Sequence, residues 1–356
     1  MKAKRKKTTS GRRLIRYIFI AIAVILVVAG IRVASFYKQV FGPNVQTPEK
    51  KEFYLYIPTG STYEDVVALL DSENMIKNRQ TFDWAAKKKK YPENVHAGRY
   101  LIQCNMSNNE LLNMLRSGLQ EPVDMVINVA RTPEDLAEKI SAQIEPKKEA
   151  VLELFRDEEY LKQYGFNRET VLGMFIPNTY EFWWNTSADD FFKRMYKEYK
   201  KFWNYERTGR AKEIQLTPNQ VITLASIIIN ETNKEDEYRR IAGLYINRLD
   251  VGMRLQADPT VKYALGDFER KRILKDDTFV DSPYNTYLHD GLPPGPISLP
   301  SVRAIDAVLK YEKHDYLYFC AKEDFSGYHN FARTLDQHNK NARSYQKALN
   351  RRKILK

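Results

Sequence analysis

The segment Leu216-Thr-Pro-Asn-Gln-Val-Ile-Thr-Leu-Ala-Ser-Ile-Ile-Ile-Asn-Glu-Thr232 places one acid where a charge is costly. Thr217 reads as an N-cap, Pro218 as the first helical residue, and Gln220 as the partner that closes a capping box. Val221, Leu224, Ala225 and Ile228 then recur at helical spacing, and Ile227 and Ile229 widen the stripe. A helix this apolar must be central in its domain. The same spacing, carried on from Leu224 and Ile228, arrives at Glu231. Burial disfavours the ionised form, so this acid is expected to stay protonated near neutral pH. A general acid that protonates a glycosidic oxygen must meet that requirement. Two other readings fit the spacing as well: a helix end that lets Glu231 reach solvent, or an ion pair with Arg239, Arg240 or Arg248.

Downstream, Tyr238, Ile241, Ala242, Tyr245, Ile246 and Leu249 form a second amphipathic helix stopped by Gly252. Glu235, Asp236 and Glu237 lie beyond the apolar stripe and read as its solvated start. Next come Met253-Arg-Leu-Gln-Ala-Asp-Pro259 and Ser282-Pro-Tyr-Asn-Thr-Tyr-Leu-His-Asp-Gly-Leu-Pro-Pro-Gly-Pro-Ile297. The second stretch is a long ordered loop, and loops of that length in compact domains usually carry function. Its aromatic and amide side chains suit a sugar, rings against pyranose faces and amides against hydroxyl and N-acetyl groups. Asp258 is the one further acid placed to act, either on substrate or as the cap of its own Asp-Pro turn. No Cys/His/Asp grouping has metal-ligand spacing, and there is no glycine-rich phosphate loop, so neither a metal nor a cofactor is expected.

The elements that must position these residues begin with a basic tail. Residues 1–16 hold eight Lys/Arg and no acid; without them and Arg32 the 356-residue chain has 48 basic and 45 acidic residues. The net charge of +12 is thus mostly the tail's, which argues against a nucleic-acid partner. Residues 17–37 follow as an apolar run that can cross a bilayer if Arg16 and Arg32 snorkel. The flanking charge places the tail in the cytoplasm and the rest outside. A cleaved signal peptide ending near Val33-Ala34-Ser35 is the alternative. Residues 38–50, with two prolines, read as a linker. Residues 51–118 hold strand, helix, helix and strand, an order that resembles a LysM-like glycan-holding module; a structural spacer is the other reading. Residues 119–356 form a larger domain of mixed helices and strands, so the fold class is α+β. Cys104 and Cys320 make no disulfide framework and are expected as buried free thiols, with a single bridge between them as the alternative.

Several blocks then converge on one family. Ala225-Ser-Ile-Ile-Ile-Asn-Glu-Thr232, Ile246-Asn-Arg-Leu249, Gly252-Met-Arg-Leu-Gln-Ala-Asp-Pro-Thr-Val261 and Ser282-Pro-Tyr-Asn-Thr-Tyr287 stand in order. With Gly291-Leu-Pro-Pro-Gly-Pro-Ile297, Phe175-Ile-Pro-Asn-Thr-Tyr-Glu-Phe182 and Gly327-Tyr-His-Asn-Phe-Ala-Arg-Thr-Leu-Asp-Gln-His-Asn339, they resemble the endolytic murein transglycosylase family called MltG or YceG-like. Two features depart from the family pattern: Asn178 stands where the family usually has Asp, and Gly327-Tyr-His329 carries an insertion. The resemblance implies a lyase that cuts the β-1,4 bond between N-acetylmuramic acid and N-acetylglucosamine with a single carboxylate, Glu231. That residue would protonate the leaving oxygen, then act as base while the muramic acid C6 hydroxyl closes on C1 to leave a 1,6-anhydro end. Gln256, Asp258, Tyr284, Asn285, Tyr287 and His329 are the candidates for holding sugar, and His338 reads as structural. The implied partners are peptidoglycan glycan strands at the outer face of the inner membrane, with wall synthases or division proteins nearby. A hydrolytic muramidase and a non-cutting wall-binding scaffold are the rivals.

Overall fold

The computed structural model describes residues 9–352 apart from Lys271, so the tail up to Thr8 lies outside the described residues. Helix α1, Thr9–Phe41, carries the apolar run and continues four residues beyond the expected end of the span. From Leu14 to Gln39 every side chain is exposed, and burial begins only at Val40. Its stretch Leu14–Phe41 is long and apolar enough to cross a membrane.

The chain divides into two compact units. One comprises the residues up to Pro122 together with Trp183–Asn185, and the other comprises Val123–Phe182 and Thr186 onward. In the first, β1 (Phe53–Ile57), α2 (Tyr63–Ser72), α3 (Arg79–Lys88), β2 (Gly98–Ile102) and α4 (Asn108–Ser117) follow in order. The two strands pair antiparallel with Phe53 opposite Ile102. Strand alternation sends Leu55, Ile57, Tyr100 and Ile102 inward, against Val66, Leu70, Phe82 and Leu112 from the helices. The β-α-α-β order expected for residues 51–118 is present. The linker expectation for residues 38–50 needs correction. Asn44 and Val45 both donate their amides to the Met106 carbonyl at 3.0 Å, and Val45 is fully buried. Two prolines and a polar composition hide this pairing, because its partner lies sixty residues away.

In the second unit, β3 (Val123–Ile127) precedes α5 (Pro133–Ser141), α6 (Lys148–Arg156) and α7 (Glu158–Lys162). Strand β4 (Asn178–Phe182) then pairs antiparallel with β3. Helices α8 (Ala188–Phe202), α9 (Tyr205–Glu213), α10 (Pro218–Glu231), α11 (Tyr238–Asp250), α12 (Asp258–Leu265) and α13 (Val302–Leu309) follow. The hairpin of β5 (Tyr318–Ala321) and β6 (His329–Ala332) and the closing helix α14 (Leu335–Arg351) complete it. The whole is a mixed α+β fold. One apolar cluster gathers Phe155, Phe175, Phe191 and Phe192; the other gathers Leu224, Ile228, Ile241, Tyr245, Ile305 and Val308 around α10. Cys104 and Cys320 are free thiols, half-buried rather than buried as expected.

Candidate active site

Helix α10 starts as its sequence dictates. The Thr217 amide donates to Gln220 Oε1 at 2.8 Å, and the Gln220 amide donates back to Thr217 Oγ1 at 3.3 Å. All residues from Val221 to Ile228 are buried, so the helix is a core rod with little freedom to shift. Glu231 is its last residue, half-buried where the rod meets a cleft. Tyr245, buried on α11, donates its hydroxyl to Glu231 Oε1 at 2.6 Å.

Burial pushes the Glu231 carboxyl up from 4.5 to about 7, and the negative charge of Asp258 adds to the rise. The bond from Tyr245 and the charges of Arg248 and Lys262 oppose it. None of the three arginines considered from sequence forms an ion pair with Glu231. Arg239 donates to the Lys310 carbonyl, Arg240 pairs with Glu312 at 3.1 Å, and Arg248 donates to the carbonyls of Leu317 and Leu255. The buried Arg248 guanidinium also faces the ring of Tyr245, 6.0 Å from its centroid. It therefore fixes the tyrosine that holds Glu231.

A carboxyl raised in this way has a thermodynamic consequence. Between pH 4.5 and about 7 the folded protein keeps a proton that the unfolded chain has released. Stability from this group is complete below 4.5 and is lost as pH rises through about 7. At about 1.36 kcal/mol per pH unit the loss is at most on the order of 3 kcal/mol, reduced by partial exposure to the cleft. Glu231→Gln lacks this loss. Its Tm relative to wild type is expected to be higher at pH 8 than at pH 5, by thermal denaturation at both values. An identical offset at the two pH values would contradict the raised carboxyl.

The loop after Ser282 is bolted onto the start of α12. The Gln256 amide donates to the Thr286 carbonyl at 3.1 Å and the Ala257 amide to Thr286 Oγ1 at 3.0 Å. Thr260 donates its hydroxyl to the Ala257 carbonyl, and so accepts from Thr286 at 2.9 Å. This clamp holds Gln256 at a left-handed φ of 47° and presents Asp258 at the cleft. Tyr287 donates its hydroxyl to Asp258 Oδ1 at 2.6 Å, and Arg254 grips Asp290 and the Tyr287 carbonyl.

The cleft holds about 1360 Å³, larger than the ~300–1,000 Å³ of ordinary small-ligand sites. Glu231, Asn230, Asp258 and Lys262 line one side; His338, Tyr345 and Gln346 of α14 line another, with Arg272 and Cys320. A smaller pocket of about 100 Å³ shares Asn230, Pro259 and Lys262 with it and is bounded by Arg131, Tyr263 and Phe268. Tyr284 packs against Tyr263, a wall of that smaller pocket, with the two rings tilted and their centroids 4.6 Å apart.

Of the residues singled out from sequence, Glu231 and Asp258 line the cleft, and Tyr287 reaches it through Asp258. Gln256 is exposed beside Asp258. Asn285 is fully buried: its amide donates to the carbonyls of Thr278 and Val280, and its oxygen accepts from the Tyr287 amide. It shapes the loop and is out of reach of a sugar. His329 is engaged by Glu237, Nδ1 to Oε2 at 2.8 Å, and is not among the cleft-lining residues. Glu237, expected as a solvated helix start, is buried in that pairing. Sequence reasoning misses Tyr245, whose periodicity is that of a core aromatic, and His338, which reads as structural. His338 lines the cleft and stacks on Tyr318 at 5.5 Å; burial, with Arg248 nearby, lowers its pKa and keeps it neutral. Among the described residues no cluster of His, Cys, Asp or Glu is arranged to hold a metal ion.

Comparison with known proteins matches this chain to a family. Residues 55–344 match the YceG-like family. The endolytic murein transglycosylase of Bacillus subtilis is 30% identical over 319 residues, covering 85% of this chain and 87% of that one. The endolytic murein transglycosylase of Streptococcus pneumoniae is 30% identical over 314 residues, and the match spans 78% of this chain but 55% of that longer protein. A crystal structure of a YceG-like protein from Listeria monocytogenes superposes with a TM-score of 0.53 at 32% identity, covering 82% of this chain and 99% of that one. A match running from β1 into α14, with relatives at this identity over most of the chain, makes this protein a member of the YceG-like family.

Proposed function

We propose that this protein is an endolytic peptidoglycan lytic transglycosylase, anchored by α1 with its two folded units outside the inner membrane. The observation that carries the reading is Glu231, a carboxyl at about 7 on the wall of a cleft large enough for several sugars. A group with that value exists in both protonation states near neutral pH, as an acid that later turns base requires. Protonated Glu231 gives its proton to the oxygen between muramic acid C1 and the next glucosamine. The carboxylate left behind takes the proton of the muramic acid C6 hydroxyl, whose oxygen closes on C1. Tyr245 orients the carboxyl throughout, and Asp258, held by Tyr287, offers negative charge or hydrogen bonds to the oxocarbenium-like centre. Gln256, Tyr284 and His338 are the nearest candidates for sugar contact; Asn285 and His329 act at a distance through the loop and the β5–β6 hairpin. The first unit resembles a LysM module in element order and is the candidate for holding the strand. Wall synthases or division proteins are the expected neighbours.

The main cleft is continued beyond Asn230 and Lys262 by the smaller pocket, a shape suited to a polymer with sugars on both sides of the cut. Purified glycan strands incubated with the full chain in detergent are therefore expected to yield mid-length fragments early, as read by strand-length chromatography. Release of disaccharides alone would overturn the endolytic reading, and strands of unchanged length would favour a non-cutting scaffold. Asp258, a second acid on the same cleft wall, is the observation that keeps a hydrolytic muramidase as the rival.

Tyr245→Phe supplies a further test. The lost hydroxyl no longer stabilises the carboxylate, so the Glu231 pKa rises above its present value near 7. The falling limb of kcat/KM on the alkaline side is expected to move to higher pH, with a lower plateau because the carboxyl is less well oriented. A limb that stays in place would separate Tyr245 from Glu231.

A further inference from the structure

We propose that the C-terminal end of α3 and the turn after it, bearing Trp84, Lys87, Lys88 and Lys90, form a collar that rests on anionic lipid headgroups beside the anchor. The inference rests on α1 crossing the membrane, and it begins from how α3 lies against α1. Asn108 Nδ2 donates to Thr81 Oγ1 at 3.1 Å and to the Gln39 carbonyl at 3.0 Å. One turn along α3, the Trp84 ring meets Phe36 edge-on, with centroids 4.6 Å apart. Advancing from Thr81 to Trp84 therefore means moving back from Gln39 to Phe36, so α3 runs antiparallel to α1 and its C-terminus points toward the span. Four residues beyond Trp84, Lys88 lies roughly 6 Å farther along. That brings it level with Arg32, the residue that ends the uninterrupted apolar run.

The composition of this end matches the boundary it reaches. Thr81, Trp84 and Lys88 share one helical stripe, and the Lys88 ammonium sits 5.8 Å from the Trp84 centroid. The opposite face, Phe82, Ala85 and Ala86, is buried in the unit, which fixes the outward direction of the stripe. Lys87, Lys88 and Lys90 are exposed, and Trp84 is exposed despite its contact with Phe36. No acid falls between Trp84 and Tyr91; Asp83 just before them is engaged by Arg79 and Tyr63. An exposed tryptophan among lysines with no acid between them, at the level where an apolar helix ends, has the chemistry of the headgroup layer: an amphipathic ring for the interface and ammonium groups for lipid phosphates. The collar would hold the first unit at a set height and tilt against the bilayer.

The test uses the full chain in lipid nanodiscs, made either of phosphatidylcholine alone or with a third of phosphatidylglycerol. Amide hydrogen exchange is followed over residues 79–93. Anionic discs are expected to slow exchange there by at least about fivefold, the effect of one engaged lysine. Raised salt should remove the slowing, and Lys87→Gln/Lys88→Gln/Lys90→Gln, checked for unchanged Tm in neutral discs, should not show it. Equal exchange in the two lipids, or slowing in the triple variant equal to wild type, overturns the proposal. Slowing by soluble glycerophosphoglycerol in neutral discs also overturns it, because the site would then take a free phosphate and not a surface. An alkaline carbonate wash separates the two readings. Protein stripped from vesicles defeats the anchor itself, whereas protein retained but indifferent to lipid charge defeats only the collar.

Discussion

Glu231→Gln is expected to lower turnover on glycan strands by about a thousandfold or more, with the chain still folded. General acid catalysis contributes ~10²–10⁴-fold, and this residue is proposed to serve as acid in one half of the reaction and base in the other. The glutamine oxygen can accept from the Tyr245 hydroxyl as Glu231 Oε1 does at 2.6 Å, so no buried donor is orphaned. The substitution also removes a carboxyl whose ionisation is disfavoured by burial, so the variant should match or exceed wild-type Tm above pH 7. Strand-length chromatography with matched thermal melts separates lost chemistry from lost structure. A variant that still cuts at a tenth of the wild-type rate would remove Glu231 from the chemistry.

The second large effect is on stability. Gly295→Ala is expected to destabilise the second unit by about 3 kcal/mol or more, near the upper end for overpacking. A Cβ at this position would collide with the carbonyl of Glu169, and that neighbour is backbone with no rotamer through which to move aside. The loop that shapes the cleft passes over the Glu169–Thr170 turn with only a hydrogen to spare. For a unit of this size the change corresponds to a fall in Tm of about 10 °C. Gly209→Ala is the control: the position is helical and an added Cβ meets nothing within 4 Å, so Tm should hold or rise slightly. Equal melting of both variants would contradict the packing described.

These two residues mark how far sequence reasoning reaches. The cap, the burial and the out-of-place acid of α10 follow from local chemistry within seventeen residues, and the structure repeats them bond for bond. The stretch from Ser282 to Ile297 is recognisable as an ordered loop, but the division of labour inside it is not. Asn285 and Tyr287 look alike as sugar contacts, yet one is buried against carbonyls and the other reaches Asp258. Glu237 shows the same limit: within Glu235-Asp236-Glu237 it resembles its solvated neighbours, and only the fold brings His329, 92 residues on, to meet it. Val45 and Tyr245 are concealed for a related reason. The hydrogen bond from the Val45 amide to the Met106 carbonyl is non-local, and a tyrosine on an apolar stripe reads as core until the partner of its hydroxyl is placed. Periodicity reports which side of an element faces inward; it does not report what waits there.

Glu231 is proposed to work with the substrate's own C6 hydroxyl, without water as nucleophile. Cutting glycan strands in ¹⁸O-labelled water and weighing the fragments tests it directly. New ends free of ¹⁸O, at the mass of an anhydro-muramic acid terminus, are the predicted result. One ¹⁸O at each new reducing end would contradict it, and would make Asp258, or a water it activates, the nucleophile in place of the C6 hydroxyl.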